Sequence, residues 1–170
     1  MTLKTIDRGA CLTESPEQQA RDKALRTAAN VLQYRQRSAR ALYDRLLEKG
    51  LEPELAEYAV ERLQQLGYLN DAEYGRLLVR ELSARGYGAG RIRQELREKK
   101  LEPEALEAAM EEYQADPERL RRYIEGKLRG QAPDRRMLKK VSDGLFRRGF
   151  SWEEIRAALR RYADQLEDTE

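Results

Sequence analysis

The chain contains no histidine and one cysteine, Cys11. These absences remove zinc and haem centres of the usual kinds, histidine-based nucleophilic triads and an internal disulfide framework. No cofactor and no metal is expected. Aromatic residues make up only 7% of the 170 residues, and no apolar run approaches the length of a bilayer span. The start of the chain, with Asp7 and polar residues close behind, does not read as a secretory signal, so no membrane association and a cytosolic location are expected. Gly86-Tyr-Gly-Ala-Gly90 is glycine-rich, but no Gly-Lys-Ser/Thr follows it and no strand precedes it. It reads as a flexible link and not as a phosphate loop. Carboxylates are plentiful but fit exposed helix faces. Glu111 and Glu112 are adjacent and point in different directions on a helix, so they do not form an acid/base pair. No enzyme is expected.

What the chain does have is a repeat. Leu-Glu-Pro-Glu occurs at Leu51–Glu54 and at Leu101–Glu104. A shift of fifty residues also carries Ala39, Leu46, Lys49, Ala59 and Glu61 onto Ala89, Leu96, Lys99, Ala109 and Glu111. A worn third copy follows when Gly50 is aligned with Gly149. Three apolar columns then recur: Leu42, Ile92 and Val141; Leu46, Leu96 and Leu145; Val60, Met110 and Leu159. Spacings of three and four within each copy mark buried stripes of α-helices. The implied fold is all-α: three consecutive three-helix units forming an elongated, curved helical array, with function spread over a long surface. Such small units have little core of their own and are expected to stack on one another.

The units are placed at residues 22–67, 68–115 and 116–166, with segments 1–21 and 167–170 expected to be mobile. The pattern predicts helices near Ala24–Gln36, Ser38–Lys49 and Pro53–Leu66, then Ala72–Ala84, Gly90–Lys99 and Pro103–Gln114, then Pro117–Arg129, Pro133–Arg148 and Trp152–Leu166. Pro53, Pro103, Pro117 and Pro133 suit first helical positions. Asp71, Asp116 and Ser151 suit N-caps, and Ser151 with Glu154 has capping-box spacing. Gly50, Gly67 and Gly149 sit where helices should stop.

A near-neutral balance of +2 hides an asymmetry, because residues 116–162 hold fourteen basic and seven acidic residues. The middle helix of this unit carries Arg135, Arg136, Lys139, Lys140, Arg147 and Arg148 around an apolar line of Leu138, Val141 and Leu145. This face reads either as a solvated surface or as an electrostatic footprint for a phosphate backbone or an acidic protein. No base-reading motif accompanies it.

Three segments resemble a known family. Gly67-Tyr-Leu-Asn-Asp71 followed by Tyr74, Gly86-Tyr-Gly-Ala-Gly-Arg-Ile-Arg-Gln-Glu-Leu96, and Arg35-Gln-Arg-Ser38 with Leu42, Leu46 and Lys49-Gly50 are similar to motifs of the RecX family. The resemblance covers about Ala24–Tyr162. Tyr68, Leu69, Asn70, Asp71, Tyr74, Gly88, Arg91, Ile92, Glu95 and Leu96 fall on motif positions, for which mainly structural roles are expected. The chain departs at Ala41, where the family often has Glu, at Lys100, where it often has Gly, and at Gly75, where a better helix former is usual. The resemblance implies a non-enzymatic regulator of the RecA recombinase, and a monomer is expected. It would bind the RecA–DNA filament, inhibit its ATPase and strand exchange, and so regulate DNA repair and recombination. Direct contact with DNA is expected to be weak or through the filament. Two other readings stay open on the residues alone: a sequence-nonspecific DNA-binding helical protein, and a helical-repeat protein-interaction scaffold.

Overall fold

The structure is a computed structural model that describes residues 15–129, 131 and 133–167. Among them are nine α-helices and no strand: α1 (Pro16–Tyr34), α2 (Ala39–Glu48), α3 (Pro53–Gln65), α4 (Asp71–Ala84), α5 (Ala89–Glu98), α6 (Pro103–Met110), α7 (Pro117–Leu128), α8 (Arg135–Arg147) and α9 (Trp152–Glu167). They follow the three-by-three order that the repeat predicts. Cys11 and the first part of the segment expected to be mobile lie outside the described residues, as do residues 168–170.

The boundaries differ from expectation in four places. Helix α1 begins at Pro16, where the Ser15 hydroxyl accepts the Gln18 N–H at 3.2 Å. Its first turns, Pro-Glu-Gln-Gln-Ala-Arg-Asp, hold no large apolar residue, so periodicity did not reveal them. Helix α6 ends at Met110, and a turn follows in place of the continuation predicted to Gln114. Helix α8 begins at Arg135, capped by Asp134, which accepts the Met137 N–H at 2.7 Å. Pro133 therefore precedes the cap and is not the first helical residue. The cap of α4 is Asn70, whose side chain accepts the Glu73 N–H at 3.1 Å, and not Asp71. The other signals hold. Pro53, Pro103 and Pro117 open their helices, Asp116 caps α7, and Ser151 and Glu154 exchange both capping-box hydrogen bonds.

Each unit owns a core. Leu42 and Leu46 belong to the first, Ile92 and Leu96 to the second, and Val141 and Leu145 to the third. Within a unit the first and third helices pair most extensively and the middle helix lies across them. The most extensive helix pairing is between α4 and α6. A Cβ on Gly75 would stand 2.7 Å from Ala109 Cβ, so this glycine is what lets the two helices meet and is not a weak point. On α8 the inward set is Met137, Val141 and Leu145; Leu138 is only half-buried.

The units do not share a core, as stacking would require. They meet at the ends of their middle helices. Ser38, the N-cap of α2, is buried (0% exposed) and donates its hydroxyl to the Lys99 and Lys100 carbonyls at 2.6 and 3.0 Å, just past the C-terminus of α5. Fifty residues on, Gly88 caps α5 and donates its N–H to the Arg148 carbonyl at 2.8 Å, just past the C-terminus of α8. The sequence repeat is thus also a repeat of joints. Each sets the electropositive end of one helix dipole against the electronegative end of another, a favourable arrangement.

Ser38→Ala removes the acceptor for the Ala41 N–H and the donor to two carbonyls. Losing a cap and leaving partly buried carbonyls without a donor should cost about 2–3 kcal/mol. Urea unfolding checks this through a lowered midpoint. A change below about 0.5 kcal/mol, the size usual for a plain surface substitution, would show that water replaces the hydroxyl.

Candidate functional site

Two surfaces stand out, one at the first joint and one on the third unit. At the first joint the motif residues converge. Asp71 Oδ1 accepts the Ala39 N–H of α2 at 2.8 Å, so it caps a helix of the neighbouring unit and not its own. Burial pushes the Asp71 carboxyl above its usual range, partly offset by that hydrogen bond. Leu69 is buried in the first core. Lys100 takes the left-handed backbone conformation (φ 59°), which explains why glycine suits this position, and its Nζ reaches Asp44 Oδ2 at 2.6 Å. That backbone conformation costs a non-glycine residue about 1 kcal/mol.

Beside this joint, α1, the Gly67–Asn70 turn and α4 form a groove of about 870 Å³. It is lined by Ala29, Leu32, Leu63, Leu69 and Leu77, with Tyr68, Tyr74, Arg37, Arg80 and Glu73. Tyr68 is 75% exposed, which no packing role requires of it. Burial holds the Tyr74 hydroxyl above its usual range, and Arg35 and Arg37 partly counter this. The Arg37 Nε is buried with no hydrogen-bond partner. Sequence reasoning missed the groove, because its walls come from α1 and α4, whose contributions lie in different units.

The remaining motif residues sit around α5. Ile92 and Leu96 are fully buried, and Arg91 pairs with Glu95 across one turn. Gly86-Tyr-Gly-Ala-Gly90, expected as a flexible link, is the second joint. Gly90 donates its N–H to the Gly149 carbonyl at 3.0 Å, and a Cβ on Gly88 would stand 2.6 Å from that same oxygen.

The six basic residues singled out on the third unit separate into two groups. Arg135, Arg136, Lys139, Lys140 and Arg147 are exposed, and among the described residues none of them forms an ion pair. Arg148 is engaged at the second joint. Its guanidinium lies 5.1 Å from the Tyr123 ring centre and 5.9 Å from that of Tyr87, and it approaches the Arg85 carbonyl at 3.5 Å. Elsewhere many arginines are neutralised locally. Arg76 and Arg80 share Glu73 and Glu112, and Arg121 holds Glu118 and Glu125. With Asp143 the one acidic residue within α8, these cations present a net positive field to solvent.

Among the described residues no helix is long and apolar enough to cross a membrane, and no cluster of candidate metal-ligating side chains occurs. The joints and helix order point to a family, and comparison with known proteins decides it. Family models for the first, second and third three-helix domains of RecX match residues 20–63, 70–110 and 114–159. The chain belongs to the RecX family. It is 39% identical over 135 residues to the regulatory protein RecX of Xanthomonas oryzae pv. oryzae (strain MAFF 311018), covering 78% of this chain and 84% of that protein. The regulatory protein RecX of Stenotrophomonas maltophilia (strain R551-3) is 36% identical over the same length, covering 78% and 83%. The crystal structure of RecX from Lactobacillus salivarius superposes with a TM-score of 0.77 at 21% identity, covering 85% of this chain and 97% of that one. At that identity the likeness establishes the fold, an all-α array of three RecX three-helix domains.

Proposed function

We propose that this chain is a non-catalytic regulator that binds the DNA-bound filament of the RecA recombinase and lowers its ATP hydrolysis, strand exchange and growth. The observation that carries this reading is the match of all three RecX domains, in order, over most of the chain. Relatives over that span are regulatory proteins by name. The geometry supports it. Two separate surfaces, the groove at the first joint and the free cations of α8, sit on units tied together by hydrogen bonds, through side chains at the first joint and through the backbone at the second. Several modest contacts on one connected body add to high avidity when a filament repeats the partner surface. The protein acts as a monomer in this reading, with no turnover of its own.

The test is a titration into preformed RecA filaments on single-stranded DNA from the matching organism. The expected result is a saturable fall in the ATPase rate, with no hydrolysis by the protein alone. A rate unmoved at concentrations well above that of the filament would overturn the proposal. The free α8 cations favour one rival, direct binding of nucleic acid without sequence preference. Affinity for naked DNA equal to that for the filament would support that rival instead.

A further inference from the structure

Aromatic residues are scarce in this chain, yet two of them are spent on one exposed spot. Phe146 is 52% exposed and Trp152 is 48% exposed, and their rings stack with centres 5.0 Å apart and planes 20° from parallel. Neither belongs to the core of the third unit. Burial therefore does not explain the pair.

Its position on α8 does suggest a use. Positions 135, 139, 142 and 146 are four, three and four apart, so Arg135, Lys139, Ser142 and Phe146 lie along one side of the helix. Arg136, Lys140, Asp143 and Arg147 form the next line, three cations with one carboxylate among them. At a rise of about 1.5 Å per residue, the cationic track runs roughly 16 Å before it reaches the aromatic pair. That length suits two or three phosphates of an extended strand. Next to the pair, α5 and the C-terminal end of α8 border a cleft of about 490 Å³ lined by Arg91, Arg93, Gln94, Phe146 and Arg147 among others. Glu154 also lines it, but its carboxylate accepts the Ser151 N–H at 2.7 Å and is held by the capping box. A cationic track leading to an exposed aromatic face is the combination by which proteins hold unpaired strands. Phosphates take the charges, and a base stacks on the ring whatever its identity.

We infer that Phe146 and Trp152 form a stacking site for an unpaired base of single-stranded nucleic acid, with the α8 cations holding the neighbouring phosphates. This deepens the proposed filament contact and rests on that reading for its biological setting. It is testable without the recombinase.

Trp152 is the only tryptophan, so its fluorescence reports on the site alone. The full-length protein is titrated at low salt with a twelve-residue oligothymidylate, an abasic strand carrying the same number of phosphates, and a duplex of equal length. The expected result is saturable quenching by the oligothymidylate and none by the other two. Phe146→Ala should bind a labelled oligothymidylate about tenfold more weakly by anisotropy, with a melting temperature lowered by no more than about 4 °C, because half of the ring is exposed and only its stacking on Trp152 is lost. Equal affinity for the abasic strand, or an unaffected Phe146→Ala variant, would overturn the stacking site and leave only charge. Quenching that appears only when recombinase is added would overturn it in favour of a protein contact. If stacking fails while the ATPase is still inhibited, the proposed function stands without this site. If stacking is seen but the ATPase is untouched, the proposed function fails and the site remains.

Discussion

Gly149→Ala should lower the melting temperature by about 10 °C, whereas Gly50→Ala should lower it by only about 3 °C. The two glycines are repeat equivalents. Each follows a middle helix and takes a left-handed conformation, with φ of 87° and 84°. Alanine in that conformation costs about 1 kcal/mol at either place. Their surroundings differ. A Cβ on Gly50 meets nothing within 4 Å, but one on Gly149 would stand 2.1 Å from the Arg91 backbone nitrogen and 2.8 Å from its Cα. Backbone atoms cannot rotate away, so the second joint must open or the helices must shift, adding about 2 kcal/mol or more of overpacking cost. Among the described residues the C-terminal end of α2, where Gly50 lies, makes no joint with another unit. The difference between the two variants therefore isolates the joint from the turn. Calorimetry on both checks it, and equal losses would show that the end-to-end contact contributes nothing.

The same contrast explains what was legible in the sequence. Helix number, order and the inward residues of each unit follow from a local rule, three-and-four spacing, which survives in every copy. Leu42, Leu46, Ile92, Leu96, Val141 and Leu145 are buried as the columns required. The joints were not legible, because they are made between residues far apart in the chain. Asp71 has the chemistry of a cap for its own helix, and only the fold shows that it caps α2 instead. Gly86–Gly90 looked like slack, since glycine permits both flexibility and close approach and composition does not distinguish them. Lys100 looked like a mere departure from the family, although its left-handed backbone and its contact with Asp44 show what the position demands.

The candidate surfaces were half legible. The α8 cations were visible as a charge run, but the sequence did not separate Arg148 from the rest. The structure does, because Arg148 lies against Tyr87 and Tyr123 and joins two units. The groove at the first joint carried no signal beyond Tyr68 and Tyr74, which sat inside a motif expected to be structural. Phe146 and Trp152 are separated by five intervening residues across a helix end, so no helical period links them.

On the proposed function, replacing Arg136, Lys140 and Arg147 together by glutamate should weaken binding to the DNA-bound filament by at least about 100-fold at low salt, the largest functional effect expected here. All three are exposed and, among the described residues, without ion-pair partners. Their contribution to folding is therefore small, within about half a kcal/mol each. Their proposed contribution to binding is a field that an anionic partner would feel, screened over roughly 8 Å at physiological ionic strength. The loss should accordingly shrink as salt rises. If the partner is single-stranded DNA, three lost phosphate contacts should reduce the log–log salt slope by about 2. Arg148 is left out of the variant, because reversing it would break the joint and confuse folding with binding. Filament binding measured across a salt series, with melting curves alongside, reads both quantities. Unchanged affinity at low salt would make this face a solvated surface. A large fall in melting temperature would mean that these side chains support the fold, contrary to their exposure.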